Sequence, residues 1–111
     1  MTIIDTKSAV TALGALAQES RLAVFRLLVT AGPPGMNAGA IADTLGLPAP
    51  SLSFHLKELA HAGLIDGRQQ GRYVIYSANY DTMQALIDFL LENCCAAQQC
   101  GREPDTMEEA K

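Results

Sequence analysis

The spacing of apolar residues predicts four helices in the first half of the chain. Apolar side chains recur every three or four positions in segments 6–17, 19–30, 38–45 and 50–62, a period typical of amphipathic helices. The sequence AGPPG ends the second segment, because proline cannot continue a helix and glycine accepts a left-handed backbone. Asn37 and Gly46 are typical cap residues for the two ends of the third helix. The residues expected to face the interior from the second helix are Leu22, Phe25, Leu28 and Val29.

The period changes after Gly63. Leu64 and Ile65 open a short strand, and apolar and polar residues alternate from Tyr73 to Ser77, which predicts a β-hairpin with its turn at 69–71. An apolar stripe at helical spacing resumes after Asp81 or Thr82 and predicts a last helix that ends near Asn93. Two short helices joined by a glycine turn and followed by a hairpin give the fold class: mainly α with a small β-hairpin, a winged helix-turn-helix.

Chain length and composition limit the organisation further. A chain of 111 residues has room for one compact core, so we assign 1–93 to a single domain and 94–111 to a cysteine-bearing segment with a polar tail. Its apolar stretches are shorter than the roughly 18 residues that span a bilayer, which predicts no membrane association. MTIIDTKSAV lacks the basic and apolar regions of a secretory signal, so a cytoplasmic location is expected.

The net charge of −4 would argue against a nucleic-acid partner if it were evenly distributed. Residues 21–76, however, carry five Lys and Arg against three Asp and Glu, whereas residues 77–111 carry two against seven. The predicted helix-turn-helix and hairpin are therefore locally basic, and double-stranded DNA stays a candidate partner.

The fourth helix and the hairpin supply the candidate DNA contacts. One face of that helix is apolar, with Leu52, Leu56 and Leu59, and the other is small and polar, which suits a major groove. Arg21 on the second helix is a candidate for a phosphate. The other candidate contacts are Ser51, Ser53, His55 and Lys57 on the fourth helix and Arg68, Gln69, Gln70, Arg72 and Tyr73 on the hairpin.

Three cysteines, Cys94, Cys95 and Cys100, lie within seven residues after the last helix. Their odd number and close spacing argue against a disulfide framework, and clustered thiolates suit a soft ion. Structural zinc usually takes four thiolate or imidazole ligands, but His55 and His61 lie in the helix-turn-helix. Trivalent arsenic favours three sulfur ligands, so arsenite is the expected inducer, with antimonite as an equivalent and no organic cofactor. Adjacent helical residues point about 100° apart, so the last helical turn must fray for both thiols to face one ion.

The segment LSFHLKELAHAGLI followed by GRYVIYS resembles the ArsR/SmtB family of bacterial metal-responsive repressors, over about Leu16 to Leu91. The serine, histidine and leucine of the family's recognition helix correspond to Ser53, His55 and Leu56, whereas Phe54 stands where the family often has a basic or polar residue. The resemblance implies a homodimer that packs through its first and last helices. It also implies two recognition helices that enter successive major grooves of a near-palindromic operator.

Departures from the family narrow the expected sensor. The C-x-C pair that many arsenic sensors carry in the third helix is missing from MNAGAIADTL, and Asp88 has no histidine beside it for a zinc site on the last helix. The chain resembles instead the branch whose C-terminal cysteine cluster binds trivalent arsenic. A repressor of an arsenic-resistance operon, released by arsenite, is therefore expected.

Other functions stay open at this point. A regulator of this fold could sense cadmium, mercury, a methylated arsenical or oxidation of its thiols, and the cysteines could also be incidental. A thiol-dependent arsenate reductase is disfavoured, because no phosphate-cradling loop or positioned base accompanies the cysteines, so no enzyme is expected. A protein-interaction module would show no salt-dependent binding to duplex DNA.

Overall fold

The computed structural model of the protein describes residues 4–95, which form five helices and a small antiparallel sheet. The predicted helices and hairpin are all present. In chain order the elements are α1 (Thr6–Leu16), α2 (Glu19–Ala31), β1 (Met36–Asn37), α3 (Ala38–Leu45), α4 (Ala49–His61), β2 (Ile65–Gln70), β3 (Tyr73–Ala78) and α5 (Tyr80–Leu91).

Side-chain caps fix where four of the helices begin, three of them through an aspartate or asparagine. The carboxylate of Asp5 and the amide oxygens of Asn37 and Asn79 each accept a hydrogen bond from the backbone N–H three residues later, at 2.8, 2.8 and 3.0 Å. These bonds satisfy donors that the first turn of a helix otherwise leaves unpaired. The predicted cap at Asn37 is confirmed, and Gly46 ends α3 in the left-handed conformation. Because Asn79 caps α5, that helix begins one or two residues earlier than its sequence pattern predicts.

The sheet has one strand more than the sequence predicts. Its order is β1-β3-β2, all antiparallel, and β2 with β3 is the expected hairpin. Strand β1 pairs Met36 with Tyr76, and at two residues it is too short to show alternation. Gly35 precedes it with φ +70°, and a Cβ there would collide with the carbonyl oxygen of Tyr76. The wing is therefore attached to the segment that leads into α3.

The core lies between α2, α3, α4 and the base of the hairpin. Ala9 and Ala12 pack α1 closely against it. The expectation that Leu22 is buried is wrong, because the inward face of α2 is formed by Val24, Phe25 and Leu28 and leaves Leu22 41% exposed. The fully buried large side chains are Val24, Leu28, Ile41, Leu52, Leu59, Leu64 and Ile65.

Helix α5 returns along the outside of the helical layer. Ala85 and Leu86 are its buried residues, and the Tyr80 hydroxyl donates a hydrogen bond to the carbonyl oxygen of Val29, 3.2 Å away, at the end of α2. None of the helices within residues 4–95 has the length and apolar character needed to cross a membrane.

Candidate nucleic-acid interface and thiol pair

Helix α4 presents one continuous face to solvent. Leu52, Leu56 and Leu59 are buried on the opposite side, and α4 packs through them against α2 and α3. The exposed residues recur at intervals of three and four, as one side of a helix requires. We call this surface the reading face; it consists of Pro50, Ser53, Phe54, Lys57 and His61.

The reading face differs in part from the residues expected to contact DNA. Ser51, Ser53 and Lys57 are exposed as predicted. His55 is half-buried at the edge of the helix, and its Nδ1 is buried without a hydrogen-bond partner within residues 4–95. Its role as a DNA contact stays a prediction. Phe54 and His61, which the sequence reasoning did not assign to DNA, lie on the reading face; their spacing from Lys57 was the signal that could have identified them.

Phe54 is the large apolar residue of the reading face. It is 55% exposed, and the Arg21 guanidinium of α2 lies 5.8 Å from the centre of its ring. A cation at that distance from an aromatic face is attracted to the ring. The Nε of Arg21 is buried and has no hydrogen-bond partner in the described part of the chain. The Phe54 ring thus places the Arg21 charge beside the first half of α4, where a phosphate contact was predicted for it.

The wing carries the remaining predicted contacts on its outer end, where all five side chains are exposed. These residues are Arg68, Gln69, Gln70, Arg72 and Tyr73. Arg68 donates a hydrogen bond to the carbonyl oxygen of Pro34 at 3.2 Å, and Gln69 donates to the carbonyl oxygen of Gly71 at 2.9 Å. Arg68 therefore fastens the wing to the loop before β1, while Arg72 lies in the hairpin turn.

The first two predicted thiols come together just after α5. The helix ends at Leu91, and the following residues leave the helical path, with left-handed φ angles of 63° at Asn93 and 59° at Cys95. The Sγ atoms of Cys94 and Cys95 lie 3.6 Å apart. The helix ends two residues before the predicted Asn93, so neither cysteine lies in a helical turn, and fraying on ion binding stays a prediction.

The third predicted thiol, Cys100, lies outside the described residues, as does most of the assigned segment 94–111. Within residues 4–95 no group of three or more His, Cys, Asp or Glu side chains is placed to hold a metal ion. A three-thiolate site therefore depends on how Cys100 approaches the pair.

Comparisons with known proteins decide the class of this molecule. Residues 16–68 match the family model described as a helix-turn-helix domain. The chain is 30% identical over 91 residues to the HTH-type transcriptional regulator YgaV of Escherichia coli (strain K12), covering 82% of this chain and 90% of YgaV. It is also 30% identical over 95 residues to the transcriptional activator HlyU of Vibrio cholerae, covering 86% of this chain and 85% of HlyU. This chain belongs to the helix-turn-helix transcriptional regulators, the class that includes YgaV and HlyU.

Solved structures agree with this assignment. HlyU from V. cholerae N16961 superposes with a TM-score of 0.65 at 29% identity and covers 81% of this chain and 95% of its own. An ArsR-like transcriptional regulator from Rhodococcus sp. RHA1 shares the fold, with a TM-score of 0.70 at 23% identity and 82% of each chain covered. In a helix-turn-helix regulator of this fold, α3 and α4 form the helix-turn-helix, and the second of them, α4, is the recognition helix. The relatives are regulators and not enzymes, as the sequence predicted.

Proposed function

We propose that this ArsR/HlyU-type regulator is a homodimeric repressor of an arsenic-resistance operon, released from its operator when trivalent arsenic or antimony binds Cys94, Cys95 and Cys100. The observation that carries the proposal is the pair of thiols, 3.6 Å apart, at the end of α5. Zinc–thiolate bonds of about 2.3 Å place two sulfur ligands of one ion about 3.8 Å apart. The Cys94–Cys95 separation is thus close to what a single soft ion requires.

The chemistry of the residues supports a metalloid better than a hard cation. Thiolates prefer soft ions, whereas calcium and magnesium prefer oxygen ligands. A trivalent metalloid would accept three sulfur ligands, and the sequence offers Cys100 five residues after Cys95 as the third.

Operator binding is proposed to use the reading face and the wing. Ser53 and Lys57 lie on the exposed side of α4, and the Arg21 guanidinium lies beside it. Recognition helices enter the major groove with their N-terminal residues against base edges, while cationic side chains contact phosphates. Arg72, which is exposed in the wing turn, would contact the adjacent phosphate backbone of the DNA.

The second copy of the chain is proposed to cover the exposed apolar residues of α1 and α5. Val10 and Leu13 of α1 are 62% and 42% exposed, and Leu90 and Leu91 of α5 are 57% and 53% exposed. The two helices contact each other, and we call these four exposed residues the aliphatic face. Exposed apolar patches on small proteins mark interaction sites. The aliphatic face therefore supports the dimer that the family resemblance implies.

The thiol pair follows Leu91, the last residue of α5 and part of the aliphatic face. This position would let ion binding affect the dimer interface and, through it, DNA binding. Cys94 is three residues from Leu91, and its backbone N–H donates to the Leu91 carbonyl oxygen at 2.9 Å. If the thiols move to enclose an ion, the last turn of α5 and its packing against the partner subunit must change. The spacing of the two recognition helices would change with it, and operator affinity would fall.

The test is a gel-shift titration of the full-length protein on duplex DNA from upstream of its own coding region. The titration is repeated with arsenite, antimonite, cadmium, zinc and peroxide. Arsenite should release the wild-type protein. Cys94→Ser, Cys95→Ser and Cys100→Ser should each bind the operator normally and fail to respond. A response that survives in these variants would show that the assigned site is wrong.

Thiol oxidation is the second candidate, because the two sulfur atoms are already in contact. Peroxide would oxidise one thiolate to a sulfenic acid, with one peroxide oxygen bound to sulfur and the other released as water, and the second thiol would then displace that oxygen as water to form a disulfide. Release by peroxide but not by arsenite would favour this candidate. The direction of control is tested by transcription of the adjacent operon, since the relative HlyU is named an activator and repression is proposed here.

A further inference from the structure

Phe54 is a large apolar side chain that stays exposed among polar and charged residues. Its ring lies on the reading face, one residue after Ser53 and three before Lys57, and more than half of it is accessible, at 55%. The Arg21 guanidinium on one side of it and the Lys57 ammonium nearby make the patch cationic. A cationic patch around a single ring suits a polyanionic partner better than an apolar protein surface.

The neighbouring contacts leave the ring available. Within residues 4–95 the ring contacts two side chains. The Arg21 guanidinium lies 5.8 Å from the ring centre, and the centre of the His55 ring lies 6.1 Å away, edge-on, with an angle of 61° between the two ring planes. Neither contact buries the side chain. Phe54 is also in the first half of α4, the part of a recognition helix that meets base edges.

We propose that Phe54 is a specificity-determining residue that contacts the 5-methyl group of a thymine in each half of the operator. This inference rests on the proposed operator binding. The major groove presents hydrogen-bond donors and acceptors at every base pair, and its apolar group is the thymine methyl. Arg21, held over the same ring, would lie toward the phosphate backbone beside that thymine, so one residue both reads a base and positions a phosphate contact.

The test replaces individual thymines by deoxyuridine, which removes only the methyl group. Full-length wild-type protein is titrated against the shortest operator duplex that it protects from cleavage, and each thymine is replaced in turn. At one position in each half-site the affinity should fall about fourfold, the expected effect of one buried methyl group. Replacement in both half-sites should give about 16-fold, because separated base pairs act almost additively.

The same duplexes are then titrated with Phe54→Ala, with Phe54→Leu and with the control Leu22→Ala. Phe54→Ala should bind the thymine and deoxyuridine duplexes equally, whereas Phe54→Leu should keep part of the difference because it retains an apolar side chain. Leu22 is an exposed apolar residue beside Arg21 that faces away from the core, and its replacement should change neither affinity nor the deoxyuridine effect. Thermal unfolding of each variant checks that the fold is intact.

Two results would overturn the inference and leave the proposed function standing. The first is a wild-type protein that binds the operator with no sensitivity to deoxyuridine. The second is a Phe54→Ala protein that loses affinity for both duplexes by the same factor, which would mean that the ring only holds Arg21 in place. Failure of the wild-type protein to bind any promoter duplex would instead refute the proposed function itself.

Discussion

The reading face of α4 and the aliphatic face of α1 and α5 both leave large side chains exposed, but with different neighbours. Around Phe54 the neighbours are serine, lysine and an arginine from α2. Around Leu90 they are other aliphatic residues, with Ile87 and Leu91 41% and 53% exposed. A single large apolar residue among cations suits DNA, whereas a group of exposed aliphatic residues suits a second protein chain. The same degree of exposure thus predicts two different partners.

The comparison is tested most severely by placing a charge on the aliphatic face. Leu90→Glu should convert the dimer to a monomer, because a carboxylate would have to be desolvated in the interface. Operator affinity should fall by about 100-fold or more, since a monomer loses the gain from binding two half-sites at once. Sedimentation velocity reports the assembly state and gel shift the affinity.

Thr30→Glu is the control, because it adds the same charge at an exposed polar position of α2, outside α1 and α5. It should stay dimeric and bind the operator normally. A dimeric Leu90→Glu protein would contradict the assignment of the aliphatic face.

A second prediction compares the loss of a lysine from the reading face with the loss of a lysine from α1. Lys57→Ala should weaken operator binding roughly tenfold at about 0.1 M salt and reduce the slope of log affinity against log salt by about 2 per dimer, one for each lost phosphate contact. Lys7→Ala, which removes the same charge from the first turn of α1, should change neither quantity. Equal slopes for the two variants would show that Lys57 contributes only net charge.

The sequence located the reading helix but did not identify all of the residues on its exposed face. The helical period places Leu52, Leu56 and Leu59 in the core, which determines the opposite face. The family pattern directed attention to His55, whose angular position on α4 is beside the buried leucines. Phe54 was missed because residue type was weighed ahead of position, and an apolar residue was not expected on a face that meets DNA.

Other differences arise where packing overrides a local pattern. Leu22 fits the apolar stripe of α2, but in the structure Val24 faces the core instead. The rotation of a helix about its own axis depends on the helices that pack against it, which a local sequence pattern does not contain. Strand β1 is too short for a sequence signal and exists because β3 offers an open edge. Cys94 and Cys95 were proposed as ligands from their spacing in the sequence, and their binding of an ion stays a prediction. The position of Cys100 lies outside the described residues and still rests on the sequence alone.

The smallest expected effect concerns Asp5, which caps α1 on the aliphatic side of the molecule. Hydrogen bonds from the backbone N–H and hydroxyl of Ser8 hold its pKa below the ordinary 3.8. A carboxylate whose pKa is lowered on folding stabilises the folded state above its unfolded pKa, and this contribution is lost as the pH falls through the folded pKa. Asp5→Asn retains a capping oxygen but cannot ionise.

Wild-type protein should therefore unfold at a slightly higher Tm than Asp5→Asn near pH 7, by no more than about 2 °C for an exposed charge at a helix N-terminus. The difference should shrink as the pH falls below 3.8 and disappear once the pH is below the lowered pKa of Asp5 in the folded protein. Calorimetry at several pH values measures it. Operator affinity at neutral pH should be the same for both proteins, because Asp5 is remote from the reading face in the fold. An Asp5→Asn protein with the wild-type pH profile would show that another carboxylate is responsible for the acid-induced loss of stability.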